Sequence, residues 1–263
     1  MIGETQASLA LALQGEGQLE RALPLHEAAI RNLEAALGPE HPSLGIALGN
    51  FGTLLSRLGR PEDAETIHRR ALQIHLSNFG PVHARVALSQ NSIGRSQLAQ
   101  ARWTEAVESF RAALDSVPAT HRANWSPTFG SNLASAYLEL GSWQAALEIL
   151  ERVQVDLPEN PLGRAKFKVL QTRAWLKADD PIKAELYARQ AIESFEQLSD
   201  PTPEHADAHA WLAEALVLRG DLANARLELE RGRELHSSLP DPDPAELARI
   251  EARLNALRNP RPH

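Results

Sequence analysis

The chain has 263 residues, 43% of them apolar and 23% charged, a balance that excludes wholesale disorder and fits one large folded domain or two ordinary ones. A net charge of −7 with no run of five or six like charges argues against a nucleic-acid-binding arm, and no stretch approaches the roughly 18 apolar residues of a membrane span. Cysteine is absent, which removes disulfides, thiol catalysis and cysteine-ligated zinc. Aromatic residues make up only 5%, while alanine and leucine dominate, so the apolar content favours helix over strand. The opening residues carry Glu4 and no basic segment, which does not read as an export signal and leads us to expect a cytoplasmic protein.

Taken in chain order, the sequence repeats itself. Gly17, Ala22 and Ala29 are echoed by Gly59, Ala64 and Ala71, and again by Ala101, Ala106 and Ala113, at a period of 42 residues. Gly141, Ala146 and Val153 follow, then Asp179, Ala184 and Ala191, then Gly220, Ala225 and Gly232, at spacings of 40, 38 and 41. Each turn position is preceded by apolar residues three and four apart, such as Leu133, Ala134 and Tyr137, or Leu212, Ala213 and Leu216. Every unit is therefore predicted as helix, short turn, helix, with a small residue where two helices cross most closely. The six units span about 3–42, 45–84, 87–122, 127–160, 162–198 and 205–239. Pro24 falls within the second helix of the first unit, where it removes a hydrogen bond and should bend that helix. After the sixth unit, Ser237 to Asp243 is a proline-rich break, and Asp243-Pro244 predicts a final helix through Ala256 that caps the array within 241–263. At the other end Glu4 and Gln6 run straight into the first unit without a polar covering helix, as expected of a piece of a longer protein.

These spacings resemble the tetratricopeptide repeat. The third unit carries Gly94, Ala106, Phe110, Ala113 and Pro118, and the fourth Ala134, Tyr137, Gly141, Ala146 and Pro158, matching that family's small, aromatic, glycine and proline positions. The loop Leu37-Gly38-Pro39-Glu40-His41-Pro42, echoed by Phe79-Gly80-Pro81-Val82-His83, is similar to the roughly 42-residue repeats of kinesin light chains and of bacterial multidomain regulators. The fifth unit departs from the pattern with Thr172 and Asp179, and His26 and His68 stand at the second-helix aromatic position. The resemblance implies an all-α, right-handed superhelical solenoid of about six helix pairs plus the terminal helix.

No nucleotide-binding, zinc-protease or hydrolase signature is present, so no enzymatic activity and no cofactor are expected. His205 and His209 lie one turn apart beside Glu204, yet a zinc site needs a third good ligand, and no metal is expected. His68 and His75 read as packing and surface residues, and His41 and His83, recurring in the same loop, as structural contacts. Asp179 and Asp180 precede Pro181 and read as a helix cap. Of the five tryptophans, Trp103, Trp143 and Trp175 keep repeat register and read as core; Trp125 is the best candidate for an exposed ring.

In the resembling family the first helix of each pair lines a concave surface that takes extended peptides. Asparagine there bonds the peptide backbone, and lysine or arginine meets its carboxylates. Carried over, those positions hold Asn50, Arg57, Asn91, Arg95 and Asn132, then Lys166, Arg173 and Lys177. The resemblance thus implies a noncatalytic scaffold binding an acidic segment of a protein partner, with neither nucleic acid nor membrane as partner. A ligand- or peptide-sensing module from a larger bacterial regulator, such as a kinase-associated tail, is the alternative.

Overall fold

A computed structural model describes residues 2–154 and 160–258. Among them are thirteen α-helices and no strand. Pro158, the proline of the fourth unit, lies outside the described residues. The chain divides into two compact units, residues 1–140 and 141–263.

The first unit contains α1 (Ile2–Gly15), α2 (Leu19–Leu37), α3 (Pro42–Arg57), α4 (Pro61–Phe79), α5 (Ala84–Ala99), α6 (Trp103–Asp115) and α7 (Arg122–Glu139). Helices pair as α1 with α2, α3 with α4 and α5 with α6, and each pair packs on the next. Ala22, Ala29, Ala64, Ala71, Ala106 and Ala113 are all completely buried, the outcome expected of residues at close helix crossings. A complementary register runs along the first helices: a methyl at Gly52 would stand 2.6 Å from the His68 ring, and one at Gly94 2.7 Å from Phe110. Glycine on one helix thus makes room for a ring on its partner, and His68 replaces an aromatic residue without changing the packing rule. Helix α2 runs through Pro24, and α7 runs through Pro127, having already begun at Arg122 within what the spacing assigns to the third repeat.

The second unit contains α8 (Trp143–Gln154), α9 (Pro161–Lys177), α10 (Pro181–Phe195), α11 (Pro203–Leu218), α12 (Leu222–Ser237) and α13 (Pro244–Arg258). Phe195, Leu212, Leu216 and Leu229 form its core with the small residues Ala188, Ala191 and Ala225 between them. Helix α13 packs on α12 and adds Ile250 and Leu254 to that core, with the Asp243 carboxylate accepting from the Ala245 amide at 2.9 Å.

One turn geometry recurs along the chain. Gly17, Gly59, Gly141 and Gly220 are left-handed, and so are Ala101 and Asp179, both at φ 57°. At five of these turns the next amide returns to a carbonyl five residues back, as in Arg60 to Leu55 at 3.0 Å and Arg102 to Gln97 at 2.9 Å. Second helices then restart on Pro61 and Pro181, whose missing N–H costs nothing in a first turn.

Candidate functional site

In the first unit the facing sides of α3 and α5 leave two adjoining cavities of about 180 and 170 Å³. Thr53, Ser92 and the ring of His68 on α4 line both. Asn50 lines one of them, and Arg57 and Arg95 line the other. Asn91 is buried on α5, and its carbonyl oxygen accepts from the side-chain amide of Asn132 on α7 at 2.9 Å. That bond fixes both amides while leaving each with spare hydrogen-bonding capacity. Arg57 is partly committed, since its guanidinium donates to the carbonyl of Gln14 at the end of α1 at 2.6 Å. Arg95 is exposed on the groove wall.

The groove is polar but sparing in charge. Burial, aided by the Arg95 charge, lowers His68 to about 4, and burial with the Arg85 charge does the same for His75. Both rings are therefore neutral at pH 7 and can offer a hydrogen bond but no charge. The His75 Nδ1 lies 2.9 Å from Ser89 Oγ. The sequence reads these histidines as packing and surface residues, whereas both are buried and both line the groove; a polar residue recurring in an otherwise apolar register, His26 then His68, was the available signal.

In the second unit Lys166, Arg173 and Lys177 all stand on α9. Lys166 pairs with Glu204 on α11 at 2.6 Å, and the Arg173 guanidinium lies 5.6 Å from the centre of the Trp211 ring. Lys177 is exposed in the last turn. The carried-over residues therefore fall into two sets, five in residues 1–140 and three in 141–263.

Other candidates resolve into structural roles. His41 Nδ1 accepts from the Ser43 amide at 3.1 Å and His83 Nδ1 from the Arg85 amide at 3.2 Å, so the recurring loop histidine is a helix N-cap. Asp180 caps α10 through the Lys183 amide at 3.0 Å. The tryptophans need correction: all five are half-buried, and Trp125 stands out no more than the others, because it packs on Phe129 and tilts against His121. Its position just before Pro127 would have left it in a loop had α7 started where the repeat spacing placed it. His205 and His209 are buried with their rings stacked, and among the described residues no group of three histidine, cysteine or acidic side chains is placed to hold a metal ion. No described helix is long and apolar enough to cross a membrane.

Comparison with known proteins agrees with this architecture. Two family models, each described as a tetratricopeptide repeat, match residues 2–77 and 52–119, and residues 91–161 and 176–240. No curated protein matches the sequence. Among solved structures, a Podosopora anserina putative kinesin light chain with nearly identical TPR-like repeats shares 21% identity at a TM-score of 0.53, covering 89% of this chain and 94% of that one. The pilF protein of Pseudomonas aeruginosa shares 17% identity at a TM-score of 0.65, covering 96% and 97%. The apo form of the quorum sensor NprR from B. thuringiensis shares 14% identity at 0.71, covering 98% of this chain and 69% of that one. At such identities the likeness is one of fold.

Proposed function

Because this chain belongs to the tetratricopeptide-repeat family, and such repeats make it a protein–protein interaction scaffold, we propose that it works without catalysis by holding an extended, acidic segment of another protein against its first helices. The observation that carries this reading is the α3–α5 groove, where Asn50, Arg57 and Arg95 line adjoining cavities above a neutral His68. An extended backbone has alternating donors and acceptors, which an asparagine amide meets with both of its own. A carboxylate on that segment gains a charge-assisted bond from arginine, stronger than a neutral one. Lys177 and the half-engaged Lys166 and Arg173 offer the same chemistry on α9.

Changing Arg95 and Lys177 to glutamate tests the reading, because both are exposed and neither change should disturb the core. Capture of an acidic partner segment should fall at least about tenfold while the far-UV spectrum stays helical. Unchanged capture by the double variant would sink it.

A further inference from the structure

A separate concavity lies in the second unit, on the side of the second helices. Helices α10 and α12 form its walls and α11 its floor, around a volume of about 640 Å³. Its floor mixes apolar side chains with imidazole rings. Ile192 and Leu212 lie beside the imidazoles of His205 and His209, whose ring centres are 5.3 Å apart, and Phe195 stacks on His205 at 5.2 Å.

Its rim is anionic. Glu193, Glu196 and Glu234 reach it exposed, and among the described residues none of the three forms an ion pair. The cleft's two guanidiniums are already occupied: Arg189 is held by Glu185 at 2.8 Å and Arg231 by Glu228 at 2.8 Å. Glu228 also accepts from His209 Nδ1 at 2.7 Å, which fixes that ring and leaves its Nε2 as the remaining polar atom. His205 is the exception to this pairing. It is 8% exposed, lines the cleft, and its Nε2 has no hydrogen-bond partner among the described residues. Buried polar groups are normally satisfied, so an imidazole nitrogen left unsatisfied at the base of an anionic cleft points to a missing partner.

A metal ion does not suit the site, since no three donors converge as its short bonds require. A planar organic cation does: it can stack over flat rings and offer several N–H donors to more than one carboxylate. Guanidinium is more weakly hydrated than ammonium and stacks where ammonium does not, so it loses less on entering a half-apolar cleft. The space exceeds what one side chain fills and suits a side chain with its flanking backbone. We propose that this cleft binds the guanidinium of an arginine side chain presented by a partner polypeptide, with the stem against Ile192 and Leu212 and the carboxylates of Glu193, Glu196 and Glu234 around the charge. The site is independent of the first-helix groove and opposite to it in charge preference.

The probe is the blocked peptide acetyl-Ala-Ala-Arg-Ala-Ala-amide, with citrulline and lysine counterparts, titrated into the full chain while the imidazole proton resonances of His205 and His209 are followed. The arginine peptide should shift both resonances saturably and bind at least about tenfold more tightly than the isosteric, uncharged citrulline peptide, with lysine between them. The pair Glu193→Gln and Glu234→Gln should weaken it by a similar factor with the helical spectrum unchanged. Equal shifts from arginine and citrulline peptides, or none up to about 10 mM, would overturn the proposal. So would one zinc ion per chain, lost in His209→Ala, which would make the cleft a metal site.

Discussion

Ala101 and Asp179 hold a left-handed backbone at turn positions where Gly17, Gly59, Gly141 and Gly220 stand in the other pairs. For an L-residue that conformation costs about 1–2 kcal/mol, against which glycine's extra chain entropy costs about 0.5–1 kcal/mol. Ala101→Gly should therefore stabilise the chain by about 0.5–1 kcal/mol. Asp179→Gly should gain less, because aspartate tolerates the left-handed region better than alanine does. Thermal melts of the two variants check both the sign and the order; a destabilised Ala101→Gly would mean that the turn is not strained. The turn was legible as a position, since glycine recurs there four times, and so was the substitution of Ala101 and Asp179 into it. Less legible was the role of the loop histidines. Spacing showed that His41 and His83 were structural, but only geometry shows an imidazole nitrogen doing the work that serine or aspartate does at an ordinary N-cap.

Between elements, the packing of α13 against the preceding pair carries its own titration. Asp207 on α11 is raised to about 6 by burial, and further by the charges of Glu246 on α13 and Glu204 on its own helix, with His236 on α12 and Arg249 on α13 opposing. A carboxyl whose folded pKa lies above its unfolded value near 3.8 favours the folded state while protonated. Its contribution is complete below that value and disappears as pH rises through about 6, so at neutral pH the ionised Asp207 costs stability. Partial exposure trims the effect to on the order of 1–2 kcal/mol. Asp207→Asn should accordingly raise the melting temperature at pH 7.5 and leave it nearly unchanged at pH 3.5; an equal gain at both would assign the effect to packing. Nothing in the repeat pattern singles out Asp207. Its environment is made by three helices meeting, whereas periodicity reports one helix at a time. The same limit explains why the alanine register was readable while the cleft between α10 and α12 was not: closest approach demands a small residue at a fixed position, but a gap between helices imposes none.

For the whole molecule, the repeat count was written in the sequence and its partition was not. The repeat continues past Leu140 and Gly141 at spacings of 40 and 38, yet the contacts gather into one unit on each side. Net charge, by contrast, belongs to the entire chain, and it sets up a competition in the proposed binding of an acidic segment. The chain carries −7, so at long range it repels such a segment, while at a few ångströms Arg95 or Lys177 attracts it. Which term controls encounter depends on reach. At about 0.01 M salt the screening length is about 30 Å and the approaching segment feels the whole charge; at about 0.15 M it is about 8 Å and the nearby cations dominate. A contact pair at about 4 Å is worth only roughly 1 kcal/mol in water, so neither term overwhelms the other. Stopped-flow association of an acidic peptide should therefore speed up as salt rises from the lower value, pass through a maximum, and slow again as the local pairs are screened in turn. Glutamate at Arg95 and Lys177 should remove the slowing limb and leave the rise. A rate that only falls with salt in the parent protein would show that the local cations outweigh the net charge at every distance, and one that only rises would show that they take no part in the encounter.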